Sequence, residues 1–386
     1  MYRLAIITTH PIQYYAPLFR VLHRRHRIDI KVFYTWGQHS VHKFDPGFCK
    51  QISWDTDLLG GYSFEWAENT STAPGSHHFQ GIITPKLINQ IAKYQPSAIL
   101  VFGWAYQSHL RVIRHFHHKL PVHFRGDSTL LDERPGLKSI LKTIFLRWVY
   151  RHVDTVFYPG TNSKRYFMRY GLKENQLLFA PHAIDNDHFT ASRHTEAGEL
   201  RRQLSLTDND ILILFAGKFE EKKDPLLLLD AFSKLNRPEV HLLFAGNGRL
   251  EHALKLIAAN RERVHFMDFQ NQTVMPAVYQ AADLFCLPSK GPQESWGLAV
   301  NEAMASARTV LVSDQAGCAV DLVKNAANGY IFEHGNAVDL LKKLNMLTES
   351  RESLIEMGSQ SAEIIQDWNF TAIAEAIERI TQGVQL

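Results

Sequence analysis

The chain has 386 residues, which at about 100 to 200 residues per domain makes two domains rather than one small module. Hydrophobic residues make up 45% and charged residues 21%, with 22 Gly and 15 Pro, a balance that excludes disordered, collagen-like and coiled-coil chains. A net charge of +3 hides an asymmetry: residues 1–190 carry 23 Lys and Arg against 13 Asp and Glu, net +10, and residues 191–386 carry 19 against 26, net −7.

Three widely spaced cysteines, Cys49, Cys286 and Cys318, argue against a disulfide framework and a Cys-rich zinc site. The opening apolar run ends at Thr8-Thr9-His10-Pro11, too short for a secretory leader. No run approaches the roughly 18 apolar residues of a membrane span. The expectation is a cytoplasmic protein without an integral membrane segment. The basic half suits an anionic partner such as lipid headgroups or a lipid-linked diphosphate. No helix-turn-helix, zinc-finger or aromatic RNP-type signature accompanies the basic residues, so nucleic acid is not expected.

In chain order, apolar runs predict strands at Leu4 to Thr8, Ile28 to Tyr34, Ala98 to Phe102, Val122 to Phe124 and Val153 to Tyr158. After the polar stretch around Pro181 to Asp210 they resume at Ile211 to Ala216, Val240 to Ala245, Val264 to Phe266, Leu284 to Leu287, Thr309 to Ser313 and Gly329 to Phe332. Short apolar strands alternating with helices give parallel sheets covered on both faces. Two doubly wound, Rossmann-like α/β domains follow, facing across a cleft that is the default ligand site. Leu137 to Val153 sets Ile140, Leu141, Ile144, Phe145 and Trp148 at helical spacing among Lys138, Lys142, Arg147 and Arg151. That stripe suits either an anionic membrane surface or packing on the first sheet. Trp368 to Ile380 reads as an amphipathic helix.

The stretch most charged with chemistry runs from Pro288 to Ala307. It leaves the predicted strand Leu284 to Leu287 through a Gly/Pro loop and enters a helix near Ser295 to Leu298, whose free amides suit a phosphate. Glu294 and Glu302 are carboxylates that accept paired hydrogen bonds from vicinal hydroxyls of sugars and riboses. Upstream, Gly217 allows a sharp turn after a strand, and Lys218 and Lys223 supply cations for a diphosphate. A third loop, Gly246-Asn247-Gly248, follows the next strand.

This ordered set resembles retaining glycosyltransferases of family 4, the glycosyl transferases group 1, with the GT-B architecture. The resemblance implies residues 1–190 as an acceptor-binding domain, 191–365 as a nucleotide-sugar donor-binding domain, and 366–386 as a helix crossing back to the first. It implies that Lys218 and Lys223 hold the donor diphosphate, Glu302 the ribose and Glu294 the transferred sugar. Gly217, Gly246 and the amides around Ser295, Trp296, Gly297 and Leu298 complete the donor site, with Glu294, Lys218 and Lys223 as the catalytic set. Lys218 stands where the family usually has Arg. On the acceptor side it points to His10, Gln13, Trp104, Arg125 and Asp127, while His123 falls inside a strand and receives no catalytic role.

The implied activity is transfer of a sugar from a nucleoside-diphosphate sugar to a glycan or glycolipid hydroxyl, with retention, in cell-surface polysaccharide or lipopolysaccharide assembly. No cofactor and no metal are implied. Asp185-Asn186-Asp187 and Asp208-Asn209-Asp210 resemble a metal-binding Asp-x-Asp motif, but turn and cap chemistry explains both. A nucleotide-sugar epimerase, a sugar phosphorylase and a non-catalytic nucleotide-sugar binding protein are the competing readings. The protein is expected in the cytoplasm, with peripheral attachment to the inner face of the plasma membrane as an option.

Overall fold

The structure is a computed structural model and describes residues 1–41, 43–45, 47–292 and 294–382. Gln293 of the Gly/Pro loop and residues 383–386 of the expected C-terminal helix lie outside them. In chain order the strands are β1 (Arg3–Thr8), β2 (Asp29–Tyr34), β3 (Lys43–Asp45), β4 (Lys50–Ile52), β5 (Ser63–Trp66), β6 (Ala98–Phe102), β7 (Val122–Arg125), β8 (Thr155–Tyr158) and β9 (Leu177–Phe179). They continue as β10 (Ile211–Ala216), β11 (Val240–Ala245), β12 (Val264–Met267), β13 (Leu284–Leu287), β14 (Thr309–Ser313) and β15 (Gly329–Phe332).

The chain forms two compact units. The first comprises Met1–Lys43, Thr56–His182 and Phe370–Leu386, and the second Phe44–Asp55 and Ala183–Asn369. The boundary at His182 falls eight residues before the one expected at 190, and a piece of the basic half, 44–55, groups with the second unit.

The first unit is a seven-stranded sheet in the order β5-β2-β1-β6-β7-β8-β9, with every pairing parallel. The second is a six-stranded parallel sheet in the order β12-β11-β10-β13-β14-β15. Helices cover both faces, so the central strands β6, β10 and β13 are buried along their whole length. That double burial is why they read as unbroken apolar runs. Each fully buried Ile, Leu or Phe contributes about 1.5–3 kcal/mol. The first core includes Ile99, Val101, Phe124, Val156 and Phe167. The second includes Ile213, Phe215, Leu242, Phe244 and Leu311.

Sheet order reverses at β1/β6 in the first unit and at β10/β13 in the second. In doubly wound sheets, ligands bind beyond the carboxyl ends of the strands at such switch points. The predicted loops after β1, β6, β10 and β13 all leave from them.

The helix Leu137–Tyr150 settles the ambiguity of its stripe. Only Leu146, Val149 and Tyr150 are buried, whereas Leu137 is 81% and Leu141 68% exposed, and Ile140, Ile144 and Phe145 are exposed with them. Its amino-terminal two-thirds therefore does not pack on the sheet. The helix Phe370–Glu378 lies within the first unit, where Glu378 receives Arg25 (2.7 Å) and Arg27 (3.1 Å).

Candidate active site

Two loops define the switch point of the second unit. The first leaves β10 through Gly217. There the backbone of Gly246 comes so close that a Cβ on it would lie 2.0 Å from the Gly217 carbonyl oxygen, and with φ at +146° only glycine fits. The second leaves β13 through Ser289 and Glu294 and enters the helix Leu298–Ala305 at Gly297. At Gly297, φ is +102° and no side chain caps the first turn; the Val300 amide closes back on the Gly297 carbonyl at 2.9 Å, leaving the amides of Leu298 and Ala299 without a side-chain cap. The amide of Lys290 donates to the Lys222 carbonyl (2.9 Å) and ties the loops together.

Across that tie, Lys223 Nζ meets Glu294 Oε2 at 2.5 Å, with side-chain exposures of 15% and 8%. Ser289 Oγ donates to the same oxygen at 3.0 Å. Burial pushes the Glu294 carboxyl up, but Lys223, Lys222 and the Ser289 hydroxyl outweigh it, leaving the pKa below the ordinary Glu value. Glu294 is thus a buried anion, compensated by a partner that is itself largely buried.

Glu302 is buried on the helix and accepts from the Tyr279 hydroxyl at 2.8 Å. Trp296 is buried, donates to Asn301 Oδ1 (2.9 Å) and packs on Trp368 with ring centroids 5.1 Å apart. Its indole is therefore a wall of the helix entry. Ser295 and Leu298 are half-buried beside it. Lys218 points to Asp45, at 2.9 Å. The structure thus brings Lys223 and Glu294 into direct contact, while Lys218 and Glu302 have partners of their own, Asp45 and Tyr279. Ser289 and Tyr279 lie in sequence that fits the family resemblance but were given no role in the site, and Asp45, 173 residues from Lys218, was not singled out at all.

In the first unit, His10 hydrogen-bonds Thr9 Oγ1 (2.9 Å) and meets Trp36 edge-on, and Gln13 is half-buried in the same loop after β1. Trp104, after β6, packs edge-on against Phe145 at 5.4 Å. Arg125 differs from the expectation: it is 3% exposed and donates to the carbonyls of Ala180 (2.8 Å) and Pro181 (2.9 Å). Its charge holds the chain's exit from the sheet, which places it as a strut, not as an open contact for an acceptor. Around it stand Tyr15, whose pKa burial and Asp127 push up to about 12, and His182, whose ring lies 3.7 Å from Asp127. Burial and Arg125 lower the His182 pKa against the pull of Asp127. His109 is fully buried between Thr35 Oγ1 and the Gly103 carbonyl, both at 2.8 Å, and burial pushes its pKa down to about 4.

The Asp-x-Asp stretches serve local structure. Asp185 caps the helix Asn186–Thr190 by accepting from the His188 amide, and Asp210 accepts from the amide and hydroxyl of Thr207. Among the described residues, no group of three or more His, Cys, Asp or Glu is placed to hold a metal ion.

Residues 196–363 match the family model described as glycosyl transferases group 1. The second unit carries a glycosyl transferases group 1 domain. The chain is 24% identical over 312 residues to the sulfoquinovosyl transferase SQD2 of Arabidopsis thaliana, covering 76% of this chain and 58% of that protein. It spans about half the length of other curated relatives it matches, D-inositol 3-phosphate glycosyltransferases among them. Among solved structures, Anabaena HepE in complex with UDP and glucose superposes with a TM-score of 0.72 at 17% identity, covering 100% of both chains. WaaG, a glycosyltransferase involved in lipopolysaccharide biosynthesis, gives 0.69 at 14% identity, covering 98% of this chain and 100% of that one. The fold is GT-B, built from two Rossmann-like units.

Proposed function

We propose that the group 1 glycosyltransferase domain makes the chain a retaining, metal-independent transferase of family 4. It moves a sugar from a nucleoside-diphosphate sugar to a hydroxyl of a glycan or lipid-linked acceptor. The observation that carries this reading is the buried Lys223–Glu294 pair at the β10/β13 switch point, beside the Lys218 loop and the uncapped helix start. A diphosphate leaving group accumulates negative charge as the sugar bond breaks. Preorganised donors meeting that charge are worth roughly 3 kcal/mol each. Lys218, Lys223 and the amides of Gly297 and Leu298 fill that role, while Glu294 and Glu302 accept hydroxyls of the sugar and the ribose. Gly217 and Gly246 let the backbone approach the phosphates. The UDP and glucose bound by the HepE neighbour support a nucleotide-sugar donor.

On the acceptor side, His10, Gln13, Trp104 and Asp127 sit on loops at the carboxyl ends of β1, β6 and β7, with Arg125 fixing that wall from behind. The exposed apolar face of the helix Leu137–Tyr150, with Lys138 and Lys142 on it, suits insertion at an anionic membrane surface. No helix among the described residues is long and apolar enough to cross a membrane. The reading is therefore of a peripheral enzyme acting on lipid-linked acceptors at the inner face of the plasma membrane. Its place is cell-surface polysaccharide or lipopolysaccharide assembly, the latter being the process in which the WaaG neighbour is involved.

The test is sugar transfer from UDP-, GDP- and ADP-sugars to membrane extracts by wild type, Glu294→Gln and Lys223→Ala, with folding checked by circular dichroism. Each variant is expected to lose about 100-fold or more in turnover. Wild-type turnover by both removes the site assignment.

A further inference from the structure

In the hairpin β3–β4, Asp45, at the end of β3, and the strand β4 belong to the second unit, and Asp45 places a carboxylate on Lys218. Asp45 Oδ1 accepts from the amides of Gly47 (2.8 Å) and Phe48 (3.2 Å), which fixes its orientation. Lys218 Nζ lies 2.9 Å from the same oxygen and 3.0 Å from Oδ2, and 5.1 Å above the Phe48 ring. Gly47 is packed so closely that a Cβ there would lie 2.5 Å from Lys218 Cδ. The hairpin is anchored independently of this contact. Lys50 pairs with Asp268 (3.0 Å), Asn271 donates to the Ser53 carbonyl (2.7 Å), and Phe48 packs on Phe269.

Each lysine of the proposed donor site therefore holds a protein carboxylate, Lys218 through Asp45 and Lys223 through Glu294. The two pairs sum to no net charge. An anion reaching Lys218 has to take the ammonium from Asp45, and the displaced carboxylate stays close because Gly47 and Phe48 still hold it. A like charge at that distance lowers the affinity of the site for every anion. Lys218 is a third exposed and Asp45 a fifth, so solvent screens the interaction only in part.

We propose that Asp45 sets the donor affinity of the site by competing with the diphosphate for Lys218. This rests on the donor reading above. It makes Asp45 a specificity-determining residue: a diphosphate brings a second phosphoryl group that reaches Lys218 while the first is held elsewhere in the site and so displaces the carboxylate, whereas a nucleoside monophosphate has only one phosphoryl group and does so poorly.

The experiment is calorimetric titration of UDP, GDP and ADP into the full wild-type chain, and then of the diphosphate that binds, written here as UDP, and its monophosphate, written as UMP, into wild type, Asp45→Asn, Asp45→Ser, Lys218→Ala and Asp45→Asn/Lys218→Ala. Asn and Ser keep an acceptor for the two amides, and circular dichroism checks the fold. Asp45→Asn and Asp45→Ser are expected to tighten UDP on the order of tenfold and to narrow the UDP-to-UMP preference. Lys218→Ala weakens UDP, and the double variant behaves as Lys218→Ala alone. Unchanged or weaker UDP binding by both Asp45 variants overturns the proposal, as does a Lys218→Ala variant that binds UDP like wild type. A wild type that binds neither UDP, GDP nor ADP removes the donor reading itself, and this inference with it.

Discussion

The two units share a parallel doubly wound sheet and differ in what their switch points carry. Beyond β10 and β13 stand paired charges, Lys223 with Glu294 and Lys218 with Asp45, on loops turned by Gly217, Gly246 and Gly297. Beyond β1, β6 and β7 stand the imidazole of His10, the indole of Trp104, the phenol of Tyr15 and the carboxylate of Asp127, with one buried guanidinium, Arg125, spent on backbone carbonyls. Electrostatic grip is thus concentrated in the unit with the acidic sequence, and the net +10 of residues 1–190 lies mostly elsewhere. Bulk charge and the charge that binds a ligand are separate quantities. A ligand responds to the few charges that burial keeps at low dielectric.

Breaking the charged site has the largest expected effect. Lys223→Ala leaves Glu294 buried without its cation and should cost about 3 kcal/mol of stability, read from urea unfolding; a loss below about 1 kcal/mol would show that the pair is solvated. Next comes Arg125→Ala, which frees two carbonyls of the exit strand and removes a buried charge. It should cost about 2 kcal/mol. If Arg125 instead served an open acceptor contact, stability would hold and only the acceptor KM would rise.

A change on the first unit's surface should act on neither stability nor donor binding. Leu141→Glu with Ile144→Glu removes apolar surface from an exposed face, and co-sedimentation with vesicles containing anionic lipid should fall about tenfold. Equal sedimentation of wild type and variant would assign that face to something other than a membrane.

The smallest effect sharpens the contrast through pH. The Glu294 pKa is depressed in the folded chain, so its stabilisation is fully present above the ordinary carboxylate range and is lost as pH falls through the folded value. Glu294→Gln should therefore flatten the acid limb of the stability curve without moving the neutral one's slope. An acid limb identical to wild type would mean that other carboxylates set it.

Legibility in the sequence followed burial. Strands buried on both faces, such as Ile211–Ala216 and Ala98–Phe102, announce themselves as apolar runs, whereas the switch points depend on the order in which the strands pair, which the runs do not carry. The edge strands Ser63–Trp66 and Leu177–Phe179 escaped, being short and only partly buried. So did the hairpin β3–β4, three residues a strand, which carries Asp45 into the second unit. Glu294, Lys223 and Lys218 were readable because their loops follow strands in a fixed order. The contacts they make were not: Ser289 and Tyr279 stood in stretches that fit the family but their bonds to Glu294 and Glu302 were unread, and Asp45 escaped because its contact, across 173 residues, is made only by folding. Helix Leu137–Tyr150 shows the limit of periodicity, which finds a stripe but does not say whether the sheet or the solvent receives it.

Equilibrium dialysis of UDP-, GDP- and ADP-sugars against wild type and Lys223→Ala is the most direct probe of the second unit. The expected result is that wild type retains at least one of the three and that Lys223→Ala binds it about 100-fold more weakly or not at all. Equal retention by the two proteins, with both folded, would contradict the assignment of a diphosphate to the Lys223–Glu294 switch point.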